Sequence, residues 1–193
     1  SSIGSYSGVP VANGSYTSSI KSLSGNGFVN LGKNNLNITN ANSNFNGSIQ
    51  DSGISNDVKG SITISGGTQT LTGNNTYTGS TTIDQGATLA LSGSGAIASS
   101  SMVYLNGTLD LNNNDAVTLN ALTMSPTGSA ITNSTNDSSS LTILGTASLA
   151  NTITTGGSQT YNGAVTLVAD TTITAGNNIT FNATIDDDTS GHH

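Results

Sequence analysis

Short runs in which an apolar residue alternates with Thr, Ser or Asn recur along this chain, each closed by Asn or Gly. The stretch "TLTGNNTYTGSTTIDQGATLALSG", Thr70 to Gly93, is representative. An apolar residue at every second position is the pattern of a half-buried β-strand, because successive side chains point to opposite faces. Helix formers are scarce: the sequence has no Glu, no Arg and three Lys, so a substantial helix is not expected. Such runs begin near Gly27. They continue through "FVNLG" (Phe28 to Gly32), "LNIT" (Leu36 to Thr39), "SITISGG", "MVYLNGTLDLNNND" (Met102 to Asp115) and "AVTLNALTM" (Ala116 to Met124). "SLTILGTASL" (Ser140 to Leu149) and "GAVTLVADTTITAGNNITFNATI" (Gly163 to Ile185) complete the set. Asn-Gly pairs at 13–14, 26–27, 46–47, 106–107 and 162–163 mark turns.

The pattern repeats imperfectly. "NNLNITNANSNFNGSI" (Asn34 to Ile49) parallels "GTQTLTGNNTYTGSTTI" (Gly67 to Ile83), both reading strand, Asn-rich turn, aromatic-x-Gly-Ser, strand. "GGSQTYNGAVTL" (Gly156 to Leu167) repeats the aromatic unit alone. Degenerate strand–turn units of roughly 20 residues are what a solenoid needs, since each unit buries its apolar face only against its neighbours. The reading is an all-β, right-handed parallel β-helix of about nine coils, rising about 4.8 Å per coil. Composition agrees. Ser (30), Thr (30), Asn (25) and Gly (24) dominate the 193 residues, and a stacked outer face tolerates Thr and Asn far better than like charges repeated every coil. The expected organisation is a divergent N-terminal coil or cap-like segment over 1–26, β-helix repeats over 27–186, and a tail over 187–193. His192 and His193 in that tail read as the remnant of a purification tag.

The stretch "GGTQTLTGNNTYTGSTTIDQGATLALSGSGAIASSSMVYLNGTLDL", Gly66 to Leu111, resembles the autotransporter-associated β-strand repeat. Asn30 to Ile49 looks like a more divergent copy. "GGSQTYNGAVTLVADTTITAGNNITFNATID", Gly156 to Asp186, resembles repeats of large exported proteins of the filamentous-haemagglutinin type. Ser1 to Ser22 departs from the pattern. The resemblance implies the passenger of a type V secreted protein, displayed on the bacterial outer surface or released. It implies a scaffold role with no catalytic residue, and a parent protein exported through an outer-membrane translocator barrel absent from this chain. The resemblance is specific for architecture and export route rather than for a binding target; the candidate partners are a host-cell surface, extracellular-matrix or glycan ligand.

The residues narrow the chemistry. A net charge of −7 makes nucleic acid and anionic membrane poor partners, because phosphate binding needs clustered Lys or Arg. With no Cys, there is neither a disulfide nor a thiolate metal site. Polysaccharide cleavage usually needs paired carboxylates. Asp84, Asp110, Asp115 and Asp170 read as turn and cap residues, with Asp110 and Asp115 the least poor pair. Asp186 to Asp188 reads as a solvated tail rather than a calcium site. Lys21, Lys33 and Lys59 read as solvated surface. No catalytic, cofactor or metal residue is assigned, and no cofactor is expected. The candidate ligand contacts are Tyr77, Tyr161 and Phe45. Their rings could stack on sugars if exposed, although their equivalent places in the repeat favour packing at a coil corner. Tyr6, Tyr16 and Tyr104 are not placed.

The main reading is therefore a non-enzymatic stalk or adhesion scaffold of a surface-exposed or secreted protein. End-to-end association through open strand edges is expected of such a solenoid. Ice binding is the alternative, suggested by Thr81 to Ile83, Thr152 to Thr154 and Thr171 to Thr174. The unequal spacings of Phe45, Tyr77 and Tyr161 argue against a Thr array in register. A polysaccharide-degrading β-helix enzyme is the remaining alternative.

Overall fold

The computed structural model describes residues 16–51, 59–135 and 137–188. Among these there is no helix, and every strand pairing is parallel. The strands stack into three ladders that wind around one apolar column, a parallel β-solenoid. The first ladder runs from Thr17–Ile20 through Asn35–Ile38, Ser61–Ile64, Thr81–Ile83, Val103–Leu105 and Leu122–Met124. It continues into the first halves of Ala147–Thr155 and Val165–Ala175 and ends at Ile185–Asp187. Nine stacked strands make eight steps, so the described residues complete about eight turns, a height of about 38 Å.

The second ladder stacks Ala41–Phe45, Gly67–Leu71, Thr88–Leu91, Thr108–Asp110 and Ala130–Thr132. The second halves of the two long strands complete it. The third is interrupted. Phe28–Asn30 pairs with Ser48–Gln50, a single bridge joins Asn74 to Ala96, and Ala116–Leu119, Ser140–Ile143, Gln159–Tyr161 and Ile179–Phe181 then stack regularly.

Alternation puts one set of side chains inside. Ile38, Ile64, Ile83 and Leu105 superpose on the first ladder, and Leu89, Leu109, Ile131 and Ile153 on the second, all buried. Stacking of like on like is visible at Tyr161 and Phe181, whose rings lie parallel within 11° at 4.8 Å, one coil rise apart.

Coil length varies while register holds. On the first ladder Thr17 lies against Asn35, Asn35 against Ser61 and Ile62 against Thr81, so the second of these coils is much the longest. The loops absorb the differences. Thr17–Ile20 already belongs to the ladder, upstream of the boundary drawn at 27, and the last strand reaches Asp187, into the expected tail.

Two local readings change. The Asn-rich stretch before Phe45, which the repeat pattern predicts as a turn, lies within the strand Ala41–Phe45. Ala41 and Phe45 point inward, Asn42 and Asn44 point out, and all five residues pair with Gly67–Leu71, so the ladder overrides the low strand propensity of Asn. The two long repeat copies also fall out of step. Ile49 lies on the third ladder against Val29, whereas Ile83 lies on the first against Ile64. Every side of the coil uses the same short strand and Asn/Gly corner, so a local match does not reveal which side it occupies. The glycines of three Asn-Gly pairs, Gly47, Gly107 and Gly163, do not have positive φ. They are needed because coils touch there: a Cβ on Gly47 would strike the carbonyl of Gly27, and one on Gly163 would strike Gly145.

Candidate functional site

The three aromatic candidates are interior residues. Phe45, Tyr77 and Tyr161 are 2%, 0% and 1% exposed, so no ring face is free to stack on a sugar. They are not equivalent either. Phe45 ends a strand of the second ladder, Tyr77 lies just before the first, and Tyr161 is on the third. The Tyr77 hydroxyl donates to Thr81 Oγ1 (2.6 Å), which donates to Ser100 Oγ (2.9 Å), which donates to the Gly79 carbonyl (2.9 Å). This closed relay satisfies three buried hydroxyls. Burial holds the Tyr77 and Tyr161 phenols well above the ordinary tyrosine range. The exposed aromatics are others: Phe28 (80% exposed), Tyr16 and Tyr104. Tyr6 lies outside the described residues.

The carboxylates serve turns and coil-to-coil contacts. Asp110 accepts from the Ser134 amide (3.0 Å) and hydroxyl (2.6 Å), binding one coil to the next. Asp84 anchors a turn through its backbone, and Asp115 and Asp170 are exposed. Asp51, not singled out from the sequence, accepts from Gly60 N (2.9 Å) and from the Thr78 amide (2.6 Å) and hydroxyl (2.7 Å). At Asp137, burial raises the pKa but hydrogen bonds from Ser139, Thr135 and Asn133 outweigh it and hold the carboxyl below its usual value. Among the described residues no group of three or more His, Cys, Asp or Glu is arranged to hold a metal ion. Lys21, Lys33 and Lys59 are exposed.

Buried amides form the interior polar scaffold, and the sequence reading passed over them. Gln69 sits in the column of aliphatic residues on the second ladder. Its Nε2 donates to the carbonyls of Leu23 and Ser43, both 2.9 Å, and its Oε1 accepts from Leu23 N at 3.0 Å. Gln159 accepts from the Tyr161 hydroxyl (2.7 Å) and donates to the Thr174 carbonyl (2.8 Å). Asn75 and Asn114 donate to the Ala96 and Gly95 carbonyls of the coil between them. Outside, Asn46 donates to Asn26 and Asn182 to Asn162, one coil apart in each case, the coil-to-coil ladders that the composition implies.

The most regular surface is the outer face of the second ladder. Six T-x-T-like segments stack there: "TQT" at 68–70, "TLA" at 88–90, "TLD" at 108–110, "AIT" at 130–132, and "TIT" at both 152–154 and 172–174. Thr68 pairs with Thr88 and Thr88 with Thr108, then Ala130 with Thr152 and Thr152 with Thr172. These segments are spaced almost evenly along the chain, a period the aromatic spacings hid. A Thr array in register is therefore present on this side, because length variation is confined to the corners and the other sides. At Thr81 to Ile83 the expectation was misplaced: Thr81 is buried, and Thr82 is the outward residue.

The chain is thus a parallel β-solenoid with hydroxyl-rich outer faces that carry few charges and an amide-braced apolar interior. No protein-family model, curated protein or solved structure matches it.

Proposed function

We propose that this chain is a structural segment of an exported bacterial surface or secreted protein, a rigid stalk or adhesion scaffold carried to the cell exterior through an outer-membrane barrel elsewhere in the parent protein. The observation that carries the reading is the solenoid itself. One apolar column, punctuated by buried amides, is wrapped by outer faces with few charges, and the Asp110 and Asp51 carboxylates are engaged in joining coils. Such a rod sets a distance and presents a surface. The sequence resemblance to autotransporter repeats supports the export route. A solid-phase screen of the purified chain against host cells, matrix proteins and glycans, with a charge-matched β-helix as control, tests it. Binding no greater than the control is expected for a stalk. Saturable binding to one class makes the segment adhesive, and turnover of a polysaccharide overturns the scaffold reading.

For the isolated chain we further propose that a second copy pairs with the last described coil. In the last described coil Ile179 and Ile185 are 40% and 49% exposed, and the strands 171–175, 179–181 and 185–187 each pair on one side only among the described residues. An open edge above an exposed apolar column favours further strand addition. Sedimentation should show mass increasing with concentration, and Ile185→Lys should suppress it. A monomer at every concentration refutes this contact.

A further inference from the structure

We propose that the outer face of the second ladder is a binding site for ice, with the threonine hydroxyls and methyls engaging ordered water over several coils at once. This site is independent of the scaffold reading, and three observations support it.

The first is register. The Thr68–Thr88–Thr108 column and the Thr152–Thr172 pair lie on one ladder with Ala130 between them, and the one register irregularity of the long strand, between Leu149 and Asn151, falls before Thr152. The second column runs Thr70, Ala90, Asp110, Thr132, Thr154, Thr174, so it is threonine at its two ends and interrupted in the middle. Strand geometry spaces the two columns on a two-dimensional grid, about 4.8 Å between coils and about 6.6 Å between alternate residues of one strand. A crystal surface is the ligand class that repeats on such a grid.

The second is availability. Several hydroxyls elsewhere are committed, Thr72 to Asn46, Thr78 to Asp51 and Thr81 to Ser100, and the third ladder offers one Thr column, Thr118–Thr142–Thr160–Thr180, rather than two side by side. The hydroxyls of the outward threonines of these segments enter none of the hydrogen bonds found among the described residues; Thr68, Thr152, Thr172 and Thr174 are exposed and Thr70, Thr88, Thr108, Thr132 and Thr154 half-buried. Thr is β-branched and stiff at χ1, so holding these groups in place costs little further entropy on binding. Each hydroxyl–water contact is weak, and a rigid array adds many of them.

The third is chemical type. No exposed aromatic among the described residues lies on this face to stack on a sugar: Tyr16 and Tyr104 belong to the first side and Phe28 to the third. Its one charge, Asp110, is engaged by Ser134. A face of methyls and hydroxyls with a single charge suits water in a lattice rather than a charged mineral, a nucleic acid or an isolated sugar.

The test uses the whole chain. Thermal hysteresis and enrichment into a slowly growing ice hemisphere should both rise with protein concentration. Thr108→Tyr, which places a bulky neutral ring at the centre of the array, should reduce both to the level of an inert protein. Thr142→Tyr, on the single Thr column of the third ladder, should leave both unchanged. Circular dichroism and the melting temperature confirm that each variant keeps the solenoid. Exclusion of the unmodified chain from ice overturns the proposal. So does equal activity in the two folded variants, or loss in Thr142→Tyr alone. If Thr108→Tyr does not fold, Thr152→Lys replaces it with the same expectation.

Discussion

Gly67→Ala is expected to destabilise the solenoid by about 3 kcal/mol, whereas Gly86→Ala costs about 1–2 kcal/mol. Both glycines have positive φ, +72° and +80°, so both substitutions incur the penalty of about 1–2 kcal/mol for an L-residue in the left-handed region. They differ in what the new methyl meets. At Gly86 nothing lies within 4 Å. At Gly67 a Cβ collides with the Ala41 carbonyl oxygen and comes 2.8 Å from the Ala41 nitrogen, both backbone atoms of the coil below. Backbone cannot turn aside as a side chain can, so the two coils must part where their strands begin to pair, at a typical overpacking cost of about 1–3 kcal/mol. Urea midpoints of the two variants at unchanged slope measure the difference. Equal shifts would show that coil-to-coil contact at Gly67 is not tight.

Gln69→Leu is expected to lower stability by about 2 kcal/mol or more, although it makes the core more apolar. Its column continues as Leu89, Leu109, Ile131 and Ile153, so pattern alone favours leucine. Full burial of a leucine is worth about 1.5–3 kcal/mol. Against that, the substitution strands the Leu23 amide and the carbonyls of Leu23 and Ser43, and each unsatisfied buried group costs about 1–3 kcal/mol. The three losses together exceed the gain. Hydrogen exchange at the Leu23 amide should accelerate as well, because Gln69 ties that residue across the interior from 46 positions away. A midpoint equal to or above that of the parent would show that the amide is not needed to hold the first coils.

Both predictions concern positions that the sequence does not mark as special, since Gly67 and Gln69 sit inside a strand that reads as one more alternating run. Of the candidate site, little was legible. The aromatics were visible as recurring residues, but only the fold shows Tyr77 and Tyr161 closed into hydroxyl and amide relays. The threonine face was present as six short segments at nearly even spacing, and a comparison anchored on Phe45, Tyr77 and Tyr161 measured the wrong side of the coil.

That this chain forms short parallel strands in stacked coils was already written in its residues, because alternation fixes which of them turn inward and the scarcity of charge lets like residues stack outward. Which of three sides each strand occupies was settled only in the folded molecule. That choice rests on backbone hydrogen bonds to the neighbouring coil, made one full turn away along the chain and indifferent to side-chain identity. Hence Ile49 and Ile83 lie on different ladders, while Thr68, Thr88 and Thr108 share one.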